Sequence, residues 1–221
     1  MCHLNRLSVD TNALSTSVYP HHVLFFRHSP VVRKGICYGQ SHQATQHNAS
    51  TVAHLYSKAY TSWRAQYESL HPTYIQNNQV QLWSSPAPRC YEPARCISEQ
   101  LNFKLNVDQR ILEMNFGAWE NRSWEEIERE DHLRLHHWMN HWKTDSPPQG
   151  ESLEVFQSRV AEWRSELCPH TLHILIGHAG VLRALNVIER IKTWDEAMSM
   201  SIPHLELIPF LSSHLISQDD S

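Results

Sequence analysis

Two histidines in this chain each follow a short apolar run: His28 comes after Val23-Leu24-Phe25-Phe26-Arg27, and His178 after Leu175-Ile176-Gly177. Ligands of open α/β sheets bind beyond the carboxyl ends of the strands, so imidazoles delivered at two strand ends can converge on one pocket. Between them, Ser84-Ser85-Pro86-Ala87-Pro88-Arg89 follows a third strand-like run at residues 80–83, and Glu113 opens Glu113-Met114-Asn115-Phe116-Gly117-Ala118-Trp119-Glu120. Phosphoryl transfer needs an in-line nucleophile and positive donors around the equatorial oxygens, and this set supplies both. A neutral nitrogen of His28 can attack phosphorus and split hydrolysis into two displacements. Arg27 and Arg89 offer planar forks that match phosphate oxygens and stay charged at any working pH. His178, if protonated beside a phosphate dianion, adds a further donor. Glu113 can give a proton to the departing alkoxide and then take one from the attacking water. For that its carboxyl must be able to hold a proton, which desolvation beside Phe116 and Trp119 favours and the two arginines oppose. Singly, such residues are usually structural histidines or surface charges. Together and in this order they make a site.

Elements must place these groups. Residues 23–26, 80–83 and 173–176 read as short apolar strands, and residues 205–210 as a final one. Val52, Leu55, Tyr56, Ala59 and Trp63 recur at helical spacing, as do Phe156, Val160, Trp163 and Leu167. Strands alternating with amphipathic helices predict an α/β fold: a three-layer α/β/α sandwich with a mostly parallel central sheet covered on both faces. Residues 1–22 are polar and rich in Ser, Thr and Asn, a lead-in before one domain expected over residues 23–221.

Residues 124–143 are charged, aromatic and helix-compatible, and Asp145-Ser146-Pro147-Pro148 ends them. This predicts a helical cap inserted at about residues 120–150, placed where substrate choice resides in α/β pockets. Trp119, Trp124, Trp138 and Trp142 offer flat faces to a ligand ring, although packing the cap onto the body is the plainer use. His132/His136 and His137/His141 stand at i, i+4, a spacing that can chelate Zn²⁺. The pairs fall on different faces with no Cys nearby, so a solvated helix face is expected and no metal is assigned.

The chain is 221 residues long and 41% apolar, enough to bury a full core. A formal charge of −4 gives no basic surface for nucleic acid, although 17 His make the charge rise steeply below neutral pH. Five Cys without CxxC spacing support no disulfide framework and point to a reducing compartment. No apolar run approaches the roughly 20 residues of a membrane span, and the first residues lack a charged segment followed by an apolar signal core. A cytoplasmic enzyme is expected, with a small-molecule phosphate ester as its partner, no nucleic acid, no membrane, and a homodimer allowed.

The order of these segments resembles the histidine phosphatase superfamily, the phosphoglycerate mutase-like proteins, from about Val23 to Phe210. Arg27-His28-Ser29 stands for the family's Arg-His-Gly, and Ser84 to Arg89 for its Ser-Ser-x-x-x-Arg. Within Leu112 to Glu120, Glu113 onward matches the Glu-x-x-Phe-Gly-x-Trp-Glu of the family's Leu-x-Glu-x-x-Phe-Gly-x-Trp-Glu, and Gly177 to Arg183 matches Gly-His-x-Gly-x-x-Arg. Gly150-Glu151-Ser152, followed by Phe156 and Arg159-Val160, looks like the family's linker and helix. The resemblance implies His28 as phosphohistidine nucleophile, catalytic roles for Arg27, Arg89, Glu113 and His178, and no cofactor. Ser29, Lys34, Gly39, Gln40 and Ala179 are the substrate contacts expected with it, Gly39-Gln40 lying in a loop like one at the family's pocket rim.

Three departures stand out. Ser29 replaces the usual Gly, a small residue with a hydroxyl donor. Pro93 replaces a Thr four residues after Arg89, so the helix there is expected to begin late, with Pro93 near its first turn. The Asn usual a few residues past the first His is not evident; Arg33 or Lys34 could serve instead, with solvated loop charge the plainer reading. Length, the loop from Cys37 to Ser41 and the Gly-Glu-Ser linker look most like the alpha-ribazole phosphatase group. A phosphoglycerate mutase is less favoured, because the cap holds isolated Arg122, Arg129 and Arg134 rather than the adjacent pair such mutases carry. A non-catalytic phospho-ligand or protein-binding module on the same fold is the remaining alternative.

Overall fold

The structure is a computed structural model and describes residues 22–70, 80–168 and 171–211. Its elements run β1 (His22–Arg27), α1 (Ala49–Leu70), β2 (Val80–Ser84), α2 (Pro88–Leu101), β3 (Lys104–Val107), α3 (Trp124–His141), α4 (Leu153–Ser165), β4 (Leu172–Gly177), α5 (Ala179–Ile188), α6 (Trp194–Met198) and β5 (Leu207–Leu211). Single 3₁₀ turns at Gln109–Ile111 and Gly117–Trp119 lie between β3 and α3. The five strands form one sheet in the order β3-β2-β4-β1-β5. All neighbours are parallel except β5, which runs antiparallel to β1.

Strand periodicity divides the core between two layers of helices. Val23 and Phe25 of β1 pack with Leu175, Phe156, Val160, Trp163 and Leu182 on one face. Leu24 and Phe26 pack with Ile174, Ile176, Val52, Tyr56 and Ala94 on the other. Every residue of β4 is buried, as a central parallel strand covered on both sides requires. This is the mostly parallel, three-layer α/β arrangement that the sequence predicts.

The differences are local. The predicted lead-in lies outside the described residues up to position 21, and His22 already opens β1. β3 is absent from the sequence reading: Lys104-Leu105-Asn106-Val107 is an edge strand with no fully buried residue, so its pattern is weak. The last strand begins at Leu207, after Leu205 turns through a positive φ of 65°. Pro93 does not open its helix. α2 begins at Pro88, whose missing N–H would be unpaired there anyway, and Pro93 lies buried inside it.

The cap is α3. Its Ile127 and Leu135 pack with Cys37 and Trp119 in a small separate cluster. Trp119 is fully buried, with the Trp138 ring 5.5 Å away edge-on. Trp142 meets Trp194 at 6.3 Å. These three indoles pack the cap, whereas Trp124 is 37% exposed. Among the described residues no helix is long and apolar enough to cross a membrane.

Candidate active site

The site follows from strand register. Arg27 pairs with Gly177 across β1 and β4, so His28 and His178 leave adjacent parallel strands side by side. His28 N donates to Gly177 O at 3.1 Å, and Ser85 N donates to Ile176 O at 3.2 Å as β2 ends beside them. The two imidazole centroids lie 5.3 Å apart. Tyr56 of α1 donates its hydroxyl to Arg27 O at 2.6 Å and fixes the end of β1.

Hydrogen bonds assign both rings. His28 Nδ1 lies 2.7 Å from Ser29 O, which can only accept, so Nδ1 carries the proton and Nε2 keeps its lone pair. His28 is 2% exposed, and burial, helped by Arg89 and opposed by the Ser29 carbonyl, lowers its pKa from 6.5 to about 3. The ring is neutral across the physiological range, with its proton on Nδ1. His178 receives Arg89 Nη2–H on Nδ1 at 3.3 Å and donates Nε2–H to Ser85 Oγ at 2.8 Å. Burial first, then Arg89, pushes its pKa well down. The imidazolium expected of His178 belongs to the complex with a phosphate dianion, whose charge would offset this desolvation. The Cys90 thiol, 3.6 Å from His178 Nε2, is pushed up to about 12 by burial and is no competing nucleophile.

The guanidinium groups are partly engaged. Arg89 donates to Ser41 O at 2.9 Å and to Gly39 O at 2.5 Å and lies over the Tyr38 ring. Arg27 donates to Ile202 O at 2.7 Å. The Nε–H of each is buried with no partner among the described residues, an unusual state for a charged donor and one that an anion would relieve.

Glu113 sits at the start of α5. Its Oε2 accepts Gly180 N–H at 3.1 Å, two residues beyond His178, and its Oε1 accepts Met114 N–H at 3.0 Å. Two clasps hold it there. Arg159 donates to Arg110 O, Leu112 O and Glu113 O while pairing with Glu151 at 2.6 Å. Gln40 Nε2 donates to Glu113 O at 3.1 Å.

The expected substrate contacts divide. Gly39 accepts from Arg89 and Gln40 donates to Glu113 O, so both act as braces of the site. Ala179 is buried beside His178, and Ser29 is buried with Oγ 3.0 Å from His47 Nδ1. Lys34 is exposed, and the structure does not bring it to the cluster. Three residues without an assigned role in the sequence join the site. His204 donates Nδ1–H to His28 O at 2.6 Å, its ring 5.4 Å from that of His28; the signal was a His two residues past Ile202 in the lead to β5. His47 meets Ser29. Glu120 accepts Gln40 N–H at 2.8 Å together with Ser41 N–H and Phe116 N–H, and so aims the carbonyls that hold Arg89.

Gly39 has no room for a side chain. A Cβ there would stand 2.3 Å from Met114 O and 2.4 Å from Glu120 Oε1. G39A should destabilise the protein by about 1–3 kcal/mol and lower activity further by moving loop 38–41 away from Arg89 and Glu113. Denaturant unfolding and steady-state assays read the two effects; unchanged activity would separate this loop from the site.

A profile of the histidine phosphatase superfamily (branch 1) matches residues 39–202, and the chain belongs to that superfamily. The match takes in Arg89, Glu113 and His178 and begins after Arg27 and His28. The adenosylcobalamin/alpha-ribazole phosphatase of Escherichia coli K12 is 30% identical over 104 residues, 46% of this chain and 51% of that protein. A Hydrogenobacter thermophilus protein named as a candidate phosphoserine phosphatase 2 is 36% identical over 107 residues, 47% and 52% of the two chains. The chain thus matches about half the length of these curated relatives. The crystal structure of an alpha-ribazole phosphatase from Shigella flexneri superposes with a TM-score of 0.64 at 18% identity, covering 90% of this chain and 100% of that one. A mycobacterial glucosyl-3-phosphoglycerate phosphatase gives 0.61 at 17%, covering 82% and 84%. At these identities the solved structures share the fold.

Proposed function

We propose that the protein is a metal-independent phosphomonoesterase that hydrolyses a small phosphorylated metabolite through a phosphohistidine on His28, with alpha-ribazole phosphate as substrate. The observation that carries the reaction is the tautomer of His28: a buried, neutral ring whose Nδ1–H is fixed on Ser29 O and whose Nε2 is free to attack. In the first displacement Nε2 bonds to phosphorus, the ester P–O bond breaks, and the Glu113 carboxyl protonates the leaving oxygen. In the second, water attacks phosphorus, the P–N bond breaks, and the Glu113 carboxylate takes the proton of that water, releasing phosphate. Arg27, Arg89 and a His178 that takes up a proton from solvent as the dianion binds hold the equatorial charge. His204, bonded to the His28 carbonyl, keeps the nucleophile's backbone in place.

One likeness supports the substrate, the named activity of the Escherichia coli relative. The test is a screen of chelator-treated protein in EDTA against phosphorylated metabolites that include alpha-ribazole phosphate and phosphoserine. Full activity should persist, because arginines here do the charge neutralisation that metal ions do in other phosphoryl-transfer sites. Complete loss in EDTA, restored by Zn²⁺ or Mg²⁺, would rule out the mechanism. Preference for phosphoserine would reassign the substrate and leave the mechanism intact.

A further inference from the structure

The histidines of α3 have carboxylate partners that their own spacing does not reveal. Glu128, His132 and His136 succeed one another at four-residue intervals, and the Glu128 carboxylate accepts from His132 Nδ1 at 2.7 Å and from His136 Nε2 at 3.0 Å. The two rings lie 4.2 Å apart, centroid to centroid. Further along, His137 Nε2 lies 2.8 Å from Asp145 Oδ2, and the His137 and His141 rings are stacked at 4.5 Å. Within each trio one ligand atom per residue can be chosen so that all three lie within 4.8 Å of one another. We propose that α3 carries two His₂-carboxylate sites, each binding one divalent ion of the zinc class.

Local structure prepares both trios. His141 Nδ1 donates to His137 O at 2.9 Å, which fixes the tautomer and leaves Nε2 as a ligand atom. Asp145 is held by its N–H on His141 O at 2.9 Å and by Thr144 Oγ1 on Oδ1 at 3.1 Å, so Oδ2 is the atom turned to His137. This trio sits at the carboxyl end of α3, where the helix dipole favours a cation. In the first trio, neighbouring positive side chains are occupied elsewhere: Arg129 pairs with Glu130 and Arg134 with Asp131. Glu128 is left to the imidazoles. Lys143, near the second trio, pairs with Asp195.

Coordination needs no large rearrangement. At His132 and His136 the ion replaces the proton each ring nitrogen shares with Glu128, and that proton moves to the other nitrogen of the same half-exposed ring. Two imidazoles and one carboxylate suit Zn²⁺, Cu²⁺ or Ni²⁺, whereas Mg²⁺ and Ca²⁺ prefer all-oxygen shells. Three protein ligands leave a coordination position for water. Their occupancy is separate from the proposed metal-independent reaction.

Equilibrium dialysis of the tag-free, chelator-stripped full chain against Zn²⁺ tests the proposal. His132→Gln/His136→Gln and His137→Gln/His141→Gln should each lower the bound Zn²⁺ by one equivalent, and the quadruple variant by two. Far-UV circular dichroism checks that each variant keeps its fold, and the corresponding Asn variants replace any that does not. Excess Mg²⁺ or Ca²⁺ should not displace the ion. Zn²⁺ stoichiometry unchanged in the quadruple variant, no uptake by the parent protein, or displacement by Mg²⁺ would overturn it.

Discussion

Replacing His28 with alanine should abolish both turnover and phosphoenzyme labelling, a loss on the order of 10⁴–10⁶-fold, as for nucleophiles removed elsewhere. Among the described groups at the site, the thiols and His178 are not poised to take over the attack. Burial holds the Cys90 and Cys37 thiols up at about 12. His178 is committed on both nitrogens, to Arg89 and to Ser85. Binding of a phosphate ester should survive better than turnover, because Arg27 and Arg89 remain. The backbone should also persist: the bond from His204 goes to the carbonyl of residue 28, which alanine keeps. Rapid quench with labelled substrate should place an acid-labile, base-stable phosphoryl group on His28 of the parent protein; label on Ser29 or a cysteine would overturn the assignment. The same substitution has a signature in stability. The pKa of His28 is lowered on folding from 6.5 to about 3, so the folded state binds fewer protons than the unfolded state across that window. Its contribution to stability is therefore full above pH 6.5 and is lost as pH falls toward 3. His28→Ala should flatten that part of the acid denaturation profile.

What was legible in the sequence was set by strong local signals. Apolar runs that end in Arg27-His28 and in Gly177-His178 belong to buried central strands, where hydrophobic pattern and position in the sheet agree. Edge strand β3 was not legible, because one solvated side dilutes its pattern. Pro93 misled in the other direction: a proline suggested a late helix start, yet Pro88 provides an earlier start and tertiary packing carries the interior proline. In the site, residue types predicted which side chains gather but not how they are engaged. The binding of Arg89 to the carbonyls of Gly39 and Ser41, and the bracing of that loop by Glu120, depend on segments tens of residues apart. His204 comes to His28 because Leu205 N bonds Arg27 O just before β5, a link no periodicity announces. The Asp145 carboxylate beside the cap histidines escaped for a similar reason: it lies past the helix end, where the turn rather than the helical repeat sets its direction.

Glu113→Gln should slow hydrolysis of alkyl phosphates by about 10²–10⁴-fold, the usual cost of a lost general acid, and should slow an aryl ester such as nitrophenyl phosphate much less in the phosphorylation step. An alkoxide must be protonated as it departs, whereas a nitrophenolate leaves as the anion. The substitution is nearly isosteric and keeps an oxygen that can accept one of the two backbone N–H groups, from Met114 or from Gly180. The clasp of Arg159 on the carbonyls of Arg110, Leu112 and Glu113 is untouched, so the segment should hold its place. A loss through misplacement would slow both esters alike. Single-turnover phosphoenzyme formation is the measurement that separates the roles, because Glu113 is also the proposed base for hydrolysis of the phosphohistidine and steady-state rates mix the two steps. In that second step the ester no longer matters, and Glu113→Gln should accumulate phosphoenzyme from the aryl substrate. Equal losses for both esters in the first step would remove Glu113 as the acid. The search would then move to the cap carboxylates, Glu125 and Glu126 first, at the amino-terminal turn of α3.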